Sequence, residues 1–519
     1  MSYINEPFPN AHGQPQRHLA RTDLQAFFEA ADRAIHVLNP ERVIKHVDGD
    51  YDPPSDTLPD NHCYCGWYNG HGLELGKLHK GYWIPVKRDW QYACGEFGAE
   101  GLEAVELMRR HYPSDWLPAE DGGPAAAAWS PTSIPGAQTG QFHYMWFDTQ
   151  HSLPGWVRES QRFQAWATRL FTERFRRDNR MVSFAIHLFI DAFPSGWMKT
   201  IMDCERRPKP AYFAYREALT PLMVNIRTDR WAFTAGETMP FEFWVCNDTA
   251  VASRTLTLRW QLEQDGCVLF SQKAGAKIEA MRSVFQGFFA PRALEVETRT
   301  RFTLRLALAE GLKILKDTAV EFDVFPKSPA PGSVSVSAIG TGVAQVLLRE
   351  LGLKSTGGNA SVILVDDYAE YRRRAKTIDR AAIDGARVVF LNLPVGECHI
   401  GDSCLQVHDC VMRPRQFVSR ATGHPLVEGF KPDDFKCWFD PKADYFTPLL
   451  PTVFKAEGWR PILINGNGIW TGEWKPMLAA AERSAGKGSW IVCQVTLAGR
   501  TTHNPVANMF ARRLLGIVS

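Results

Sequence analysis

No window of this chain holds the eighteen or so apolar residues that a helix needs to cross a bilayer, so no membrane partner is expected. Charge of one sign is also lacking. The 59 Lys and Arg stand against 57 Asp and Glu for a net +2, which gives no reason to expect nucleic acid as a partner. Metal and disulfide spacings are missing from the 11 cysteines, an odd number scattered along the chain. Cys63 and Cys65 are too close for an ordinary disulfide and share one face of an expected strand. Free, buried thiols are the expectation, and they fit a reducing, cytoplasmic compartment. No signal peptide precedes Asn5.

What the chain does have is length for two to four domains, with 45% hydrophobic and 22% charged residues. It also has 17 Trp. Indole faces stack on sugar C–H faces, so this richness suits carbohydrate binding, although barrel and sandwich cores use Trp as well.

The first 220 residues are organised around 91–98, Gln-Tyr-Ala-Cys-Gly-Glu-Phe-Gly. Residues 91–95 read as a buried strand, Glu96 stands at its end, and 99–112 have helical spacing. A carboxylate at the C-terminal end of a strand that feeds a helix is where parallel α/β barrels place their chemistry. Glu6 has the same setting: it ends the short run 2–5 and precedes the helical stretch 17–38. Further strands are expected at 42–47, 61–67 and 181–190, the last apolar enough for burial on both faces. Strand ends near residues 5, 48, 67, 96 and 191 make five of the eight that a closed barrel requires. Two carboxylates meeting at one barrel mouth would be the acid/base and the nucleophile of a glycosidase.

Residues 221–326 change character. Leu256, Leu258, Trp260 and Leu262 alternate along one strand, and more strands are expected at 241–245, 301–308 and 319–325. Short strands without helices predict an immunoglobulin-like β-sandwich. Beyond a Pro-rich linker, 333–519 alternates strand and helix again. It predicts a doubly wound α/β domain of flavodoxin or amidotransferase type.

Together these motifs resemble glycoside hydrolase family 2, of the clan A retaining β-glycosidases. Asn5-Glu6 is similar to the family's strand-four acid/base motif, and Glu96-Phe97-Gly98 to its strand-seven nucleophile motif. His62-x-Tyr64-x-x-Trp67 resembles the strand-six segment whose Tyr lies against the nucleophile. The run His187-Leu-Phe-Ile-Asp191, Pro194-x-Gly-Trp197, Asp203 and Arg207-Pro-Lys-Pro-Ala-Tyr212 resembles the last barrel strand and helix of β-mannosidase-like and exo-glucosaminidase-like members. The resemblance implies strands four to eight of a (β/α)8 TIM barrel and an exo-β-glycosidase working by double displacement. Glu6 and Glu96 would be catalytic. Asn5, His62, Tyr64, Trp67, His187, Asp191 and Trp197 would bind a carbohydrate substrate, with no cofactor and no metal. The family usually carries Trp where His187 stands. Because barrel strands one to three have no counterpart, the chain reads as the C-terminal part of a longer protein, and its localisation and oligomeric state stay open. The alternative is a non-catalytic fragment that binds a glycan or a partner.

Other motifs carry blander expectations. Gly340-Thr-Gly342 is expected to be a strand–helix turn and not a phosphate site. Cys398 and His424 are expected to stay apart, and His71 and His79 to hold no metal. Glu100, Glu103 and Glu106 read as a solvated helix face.

Overall fold

The computed structural model describes residues 1–9, 15–50, 59–67, 73–82, 90–250, 255–332, 334–340, 342–356, 360–409, 415–466 and 475–517. His71, expected to hold no metal, lies outside them. The structure is mostly β, in several domains.

The first part is a curled half-barrel sheet. Strands β1 (Ser2–Asn5) and β2 (Lys45–Asp48) pair in parallel, with Ile4 opposite Val47. Strands β3 (Tyr92–Phe97) and β4 (Met181–Ile186) do the same. Residues 59–63 lie alongside β3 through parallel bridges from Asp60 to Ala93 and from Cys63 to Phe97. The strand expected at 61–67 is therefore only a bridging segment, because a turn closes at once with Trp67 N–H donating to the Tyr64 carbonyl at 2.8 Å. Among the described residues β4 has a strand on one side only. Its expected burial on both faces is not seen: Val182, Phe189 and Ile190 are 44%, 48% and 37% exposed.

The helix Leu153–Arg177 holds this sheet. Ser152 caps it by accepting from Gly155 N–H, and Pro154 sits in its first turn, where no amide donor is needed. Phe163, Ala167, Leu170, Phe171 and Phe175 recur at helical spacing and are buried. Phe97, beside Glu96, packs edge-on against Phe175 and also meets Phe171 and Phe184. No helix among the described residues is long and apolar enough to cross a membrane.

The middle region is two facing sheets. Leu222–Arg227, Phe241–Asn247 and Arg282–Phe289 form a three-stranded sheet, and five strands centred on Thr300–Glu310 form the other. Leu258 and Leu262 turn inward as alternation requires, to meet Phe241, Phe243 and Phe302.

Among the described residues the last region is one nine-stranded sheet, parallel in one half only. Val336–Ile339, Val362–Val365, Arg387–Leu391 and Gly488–Cys493 run parallel, whereas the strands from Pro476–Ala485 outward are antiparallel. A doubly wound sheet was expected, so the antiparallel half is a correction. Residues 396–409 and 476–493 connect consecutive strands by tight turns, which impose antiparallel pairing. Helices Val343–Glu350 and Pro505–Leu514 pack on one face and Tyr368–Asp384 on the other.

Asp366 accepts from Gly342 and Ala344 N–H at 3.1 and 2.7 Å, so a carboxylate occupies the position a phosphate would need at this turn. Cys398 contacts the Pro394 carbonyl, while His424 faces Glu482 at 3.1 Å, so the two do not meet.

Candidate active site at the half-barrel mouth

Glu6 follows β1 and Glu96 is the penultimate residue of β3, which brings both to one end of the half-barrel. Glu6 adopts φ +44°, and its N–H donates to the Asp48 carbonyl at 2.9 Å, continuing the β1–β2 ladder. Between the two carboxylates stands His62. Its Nδ1 is 3.0 Å from Glu6 Oε1 and 3.3 Å from Glu96 Oε2, and its Nε2 is 3.7 Å from Asp48. These are ion-pair contacts more than aligned hydrogen bonds.

The Tyr64 hydroxyl donates to Glu96 Oε2. His187 Nε2 lies 3.7 Å from the same oxygen. On the other side, Arg17 reaches Glu6 Oε2 at 3.0 Å and also binds Asp50.

Below these, Lys45 bridges Asp48 and Asp60 at 3.0 and 2.8 Å, and Asp60 accepts from Gly49 and Gly95 N–H. Two glycines make this possible. A Cβ on Gly49, which sits at φ +81°, would fall 2.4 Å from the His62 ring, and one on Gly95 would fall 1.4 Å from Asp48 Oδ1. Asp48, Asp60 and His62 have donor atoms close enough to share a cation. The Lys45 ammonium already supplies that positive charge.

The charges follow from this packing. Burial alone would discharge His62, but the contacts with Asp48, Glu6 and Glu96 outweigh it and push the imidazole up to about 9. His62, helped by Arg17, holds the Glu6 carboxyl below its ordinary range against its own desolvation. His187 is driven the other way. Its burial dominates and lowers it to about 4, so it is neutral.

The remaining expected residues divide. Trp197 is 39% exposed and stands edge-on to His187, with ring centroids 5.2 Å apart. Trp67 is buried, with its carbonyl accepting from Trp146 Nε1, so it backs Tyr64 and does not form an open wall. Asn5 is exposed at the end of β1. Asp191 is buried and accepts from the Thr200 hydroxyl.

Sequence reasoning missed Arg17, Lys45, Asp48, Asp60 and Lys199. The Lys199 ammonium lies 3.9 Å from the Trp67 ring centre and 4.4 Å from that of Trp197. Burial lowers it to about 8, while Glu100 and Glu96 pull the other way. Its place two residues after Trp197 was the one available signal.

Glu106 is exposed on its helix as expected, but Glu100 and Glu103 are 4% and 1% exposed, so these two do not belong to a solvated face. The helix starts only at Val105. Ahead of it, Glu100 accepts from Thr139 and from Gln138 N–H, and Glu103 pairs with Lys209 at 2.8 Å. Elsewhere a cleft of about 1030 Å³ opens where Trp166, Arg299 and Asp434 meet; none of the mouth residues lines it.

No protein-family model and no curated protein matches the chain. Solved structures similar to it include a β-D-mannosidase from Dictyoglomus thermophilum, at 16% identity and TM-score 0.40 over 59% of this chain and 35% of that one. An exo-chitosanase from Amycolatopsis orientalis matches at 12% identity and TM-score 0.39, over 95% of this chain and 51% of that one. A β-glucuronidase from Bacteroides uniformis matches at 14% and 0.25, over 65% and 35%. The chain thus spans between a third and a half of the length of these glycosidases.

Proposed function

We propose that the half-barrel mouth belongs to a retaining β-glycosidase that removes terminal β-linked sugars from glycans. The observation that carries this is the single imidazole nitrogen within 3.3 Å of both Glu6 and Glu96. The near oxygens of the two carboxylates can be no farther apart than the sum of those contacts. That bound on the near oxygens is compatible with the roughly 5–5.5 Å between the carboxyl groups of retaining pairs.

In this reading Glu96 attacks the anomeric carbon while the bond to the leaving oxygen breaks and Glu6 gives that oxygen its proton. Water then adds to the same carbon, losing a proton to Glu6 and freeing Glu96. Tyr64 fixes Glu96 Oε2 so that the other oxygen faces the sugar. Asn5 would meet the 2-hydroxyl, and Trp197 would wall the sugar. The Glu6 contacts with Arg17 and His62 favour its ionised form, so the acid step needs an entering sugar to loosen them.

That same ionised Glu6 favours a second reading, a glycan-binding fragment without turnover. A panel of nitrophenyl β-glycosides separates the two. Turnover that falls about 10²–10⁴-fold in Glu6→Gln, and further in Glu96→Gln, supports the enzyme. Saturable sugar binding with no turnover by the chain while it keeps both carboxylates supports the fragment.

A further inference from the structure

Far from the mouth, a second set of matched side chains stands on the outermost hairpin of the mixed sheet. Strands Gly396–Ile400 and Ser403–Asp409 pair antiparallel around a two-residue turn, with His399 opposite Cys404 and Glu397 opposite Gln406. Alternation sends Cys398, Ile400, Leu405 and Val407 into the core. It turns Glu397, His399, Cys404 and Gln406 outward together.

On that outer face His399 Nε2 is 2.7 Å from Glu397 Oε1, and Gln406 Nε2 lies 3.1 Å from Glu397 Oε2 and 3.7 Å from Cys404 Sγ. One donor atom each from Glu397, His399 and Cys404 fall within 4.8 Å of one another. The fold fixes their bases as well as their tips. The His399 backbone N–H donates to the Tyr368 hydroxyl, and the hairpin register sets His399 directly across from Cys404.

We propose that Glu397, His399 and Cys404 form a binding site for a divalent cation of the zinc type. Thiolate, imidazole and carboxylate are the three ligand kinds Zn²⁺ takes, at about 2.3 Å for sulfur and about 2.0–2.2 Å for nitrogen and oxygen. Small rotamer changes on an exposed face bring the three donors to that spacing. Ions that prefer oxygen, such as Mg²⁺ and Ca²⁺, gain nothing from the thiolate, so the set selects a softer metal. Binding forms the Zn–S bond as the thiol proton leaves to solvent. Three protein ligands leave a fourth position for water. The ion would clasp the two strands where the sheet ends, at its edge strand. The site is independent of the glycosidase reading.

The test uses the full chain, kept reduced with a phosphine and given Zn²⁺ or Co²⁺ alone. Co²⁺ is expected to give a thiolate-to-metal charge-transfer band that Cys404→Ser abolishes. Affinity for Zn²⁺ should fall at least about tenfold in His399→Ala and in Cys404→Ser. Zn²⁺ should slow alkylation of Cys404 but not of Cys267, which is also exposed. All three ligands face solvent, and metal-free unfolding temperatures equal to that of the parent chain would establish that the variants fold. Alkylation of Cys404 at the same rate with and without Zn²⁺, or unchanged Zn²⁺ affinity in Cys404→Ser, would overturn the proposal.

Discussion

His62 Nδ1 lies 3.0 Å from Glu6 Oε1, and each group changes the charge state of the other. The imidazole is raised to about 9 and the carboxyl is lowered, so both are charged across the neutral range.

This pairing gives a pH signature. Because the folded-state value of His62 lies above its ordinary 6.5, its contribution to stability is complete below pH 6.5 and is lost as pH rises through about 9. Thermal unfolding followed from about pH 6 to 10 should therefore show a decline over that window that His62→Gln flattens. Equal slopes in the two proteins would contradict the assigned contacts.

Lys199 should titrate below the ordinary lysine range. Its ammonium is lowered to about 8 by burial, with Glu100 and Glu96 opposing. Reductive methylation with an isotope-labelled methyl group, followed by NMR titration, should find this value. In Glu100→Gln it should drop further, since one opposing carboxylate is gone. A Lys199 resonance that titrates with the ordinary lysines would rule out the enclosed position.

The β3 end should tolerate little change. Phe97 is fully buried against Phe171, Phe175 and Phe184, and its truncation to Ala is expected to cost about 3–5 kcal/mol in denaturant unfolding. Gly95→Ala acts differently. Its new Cβ would displace Asp48 and break the Lys45 bridge, so it should disturb the His62 titration more than its small added volume suggests.

Arg299 ties the sandwich to the last domain through two bonds to Asp434, at 2.8 and 2.7 Å, and it also pairs with Asp323. Both carboxylates are 4% exposed. Arg299→Ala leaves Asp434 without its cation, while Asp323 keeps Arg301. A loss of up to about 3 kcal/mol is expected, with earlier proteolysis between the two domains. Unfolding indistinguishable from the parent chain would show that the contact is screened.

Much of the fold was legible in the chain because apolar period and turn residues act locally. The alternation of Leu256, Leu258 and Leu262 named a sandwich strand, and Glu96 stood out because a carboxylate ended an apolar run. The antiparallel half of the last sheet was not legible, since pairing direction depends on which distant strands meet. Glu100 and Glu103 were misread for a related reason: their partners Thr139 and Lys209 lie 39 and 106 residues away, and helical spacing alone resembles a solvated face. The same holds for Arg17, Lys45 and Asp60, whose importance arises only when the strand ends converge.

In the proposed glycosidase Glu96 is the nucleophile. The most direct measurement incubates the protein with a panel of 2-deoxy-2-fluoro-β-glycosides carrying good leaving groups and maps the adduct by peptide mass spectrometry. One glycosyl unit is expected on the peptide that contains Glu96, absent from Glu96→Gln. Turnover of a natural-sugar glycoside with no adduct from its fluorinated analogue, or an adduct on another carboxylate, would contradict it.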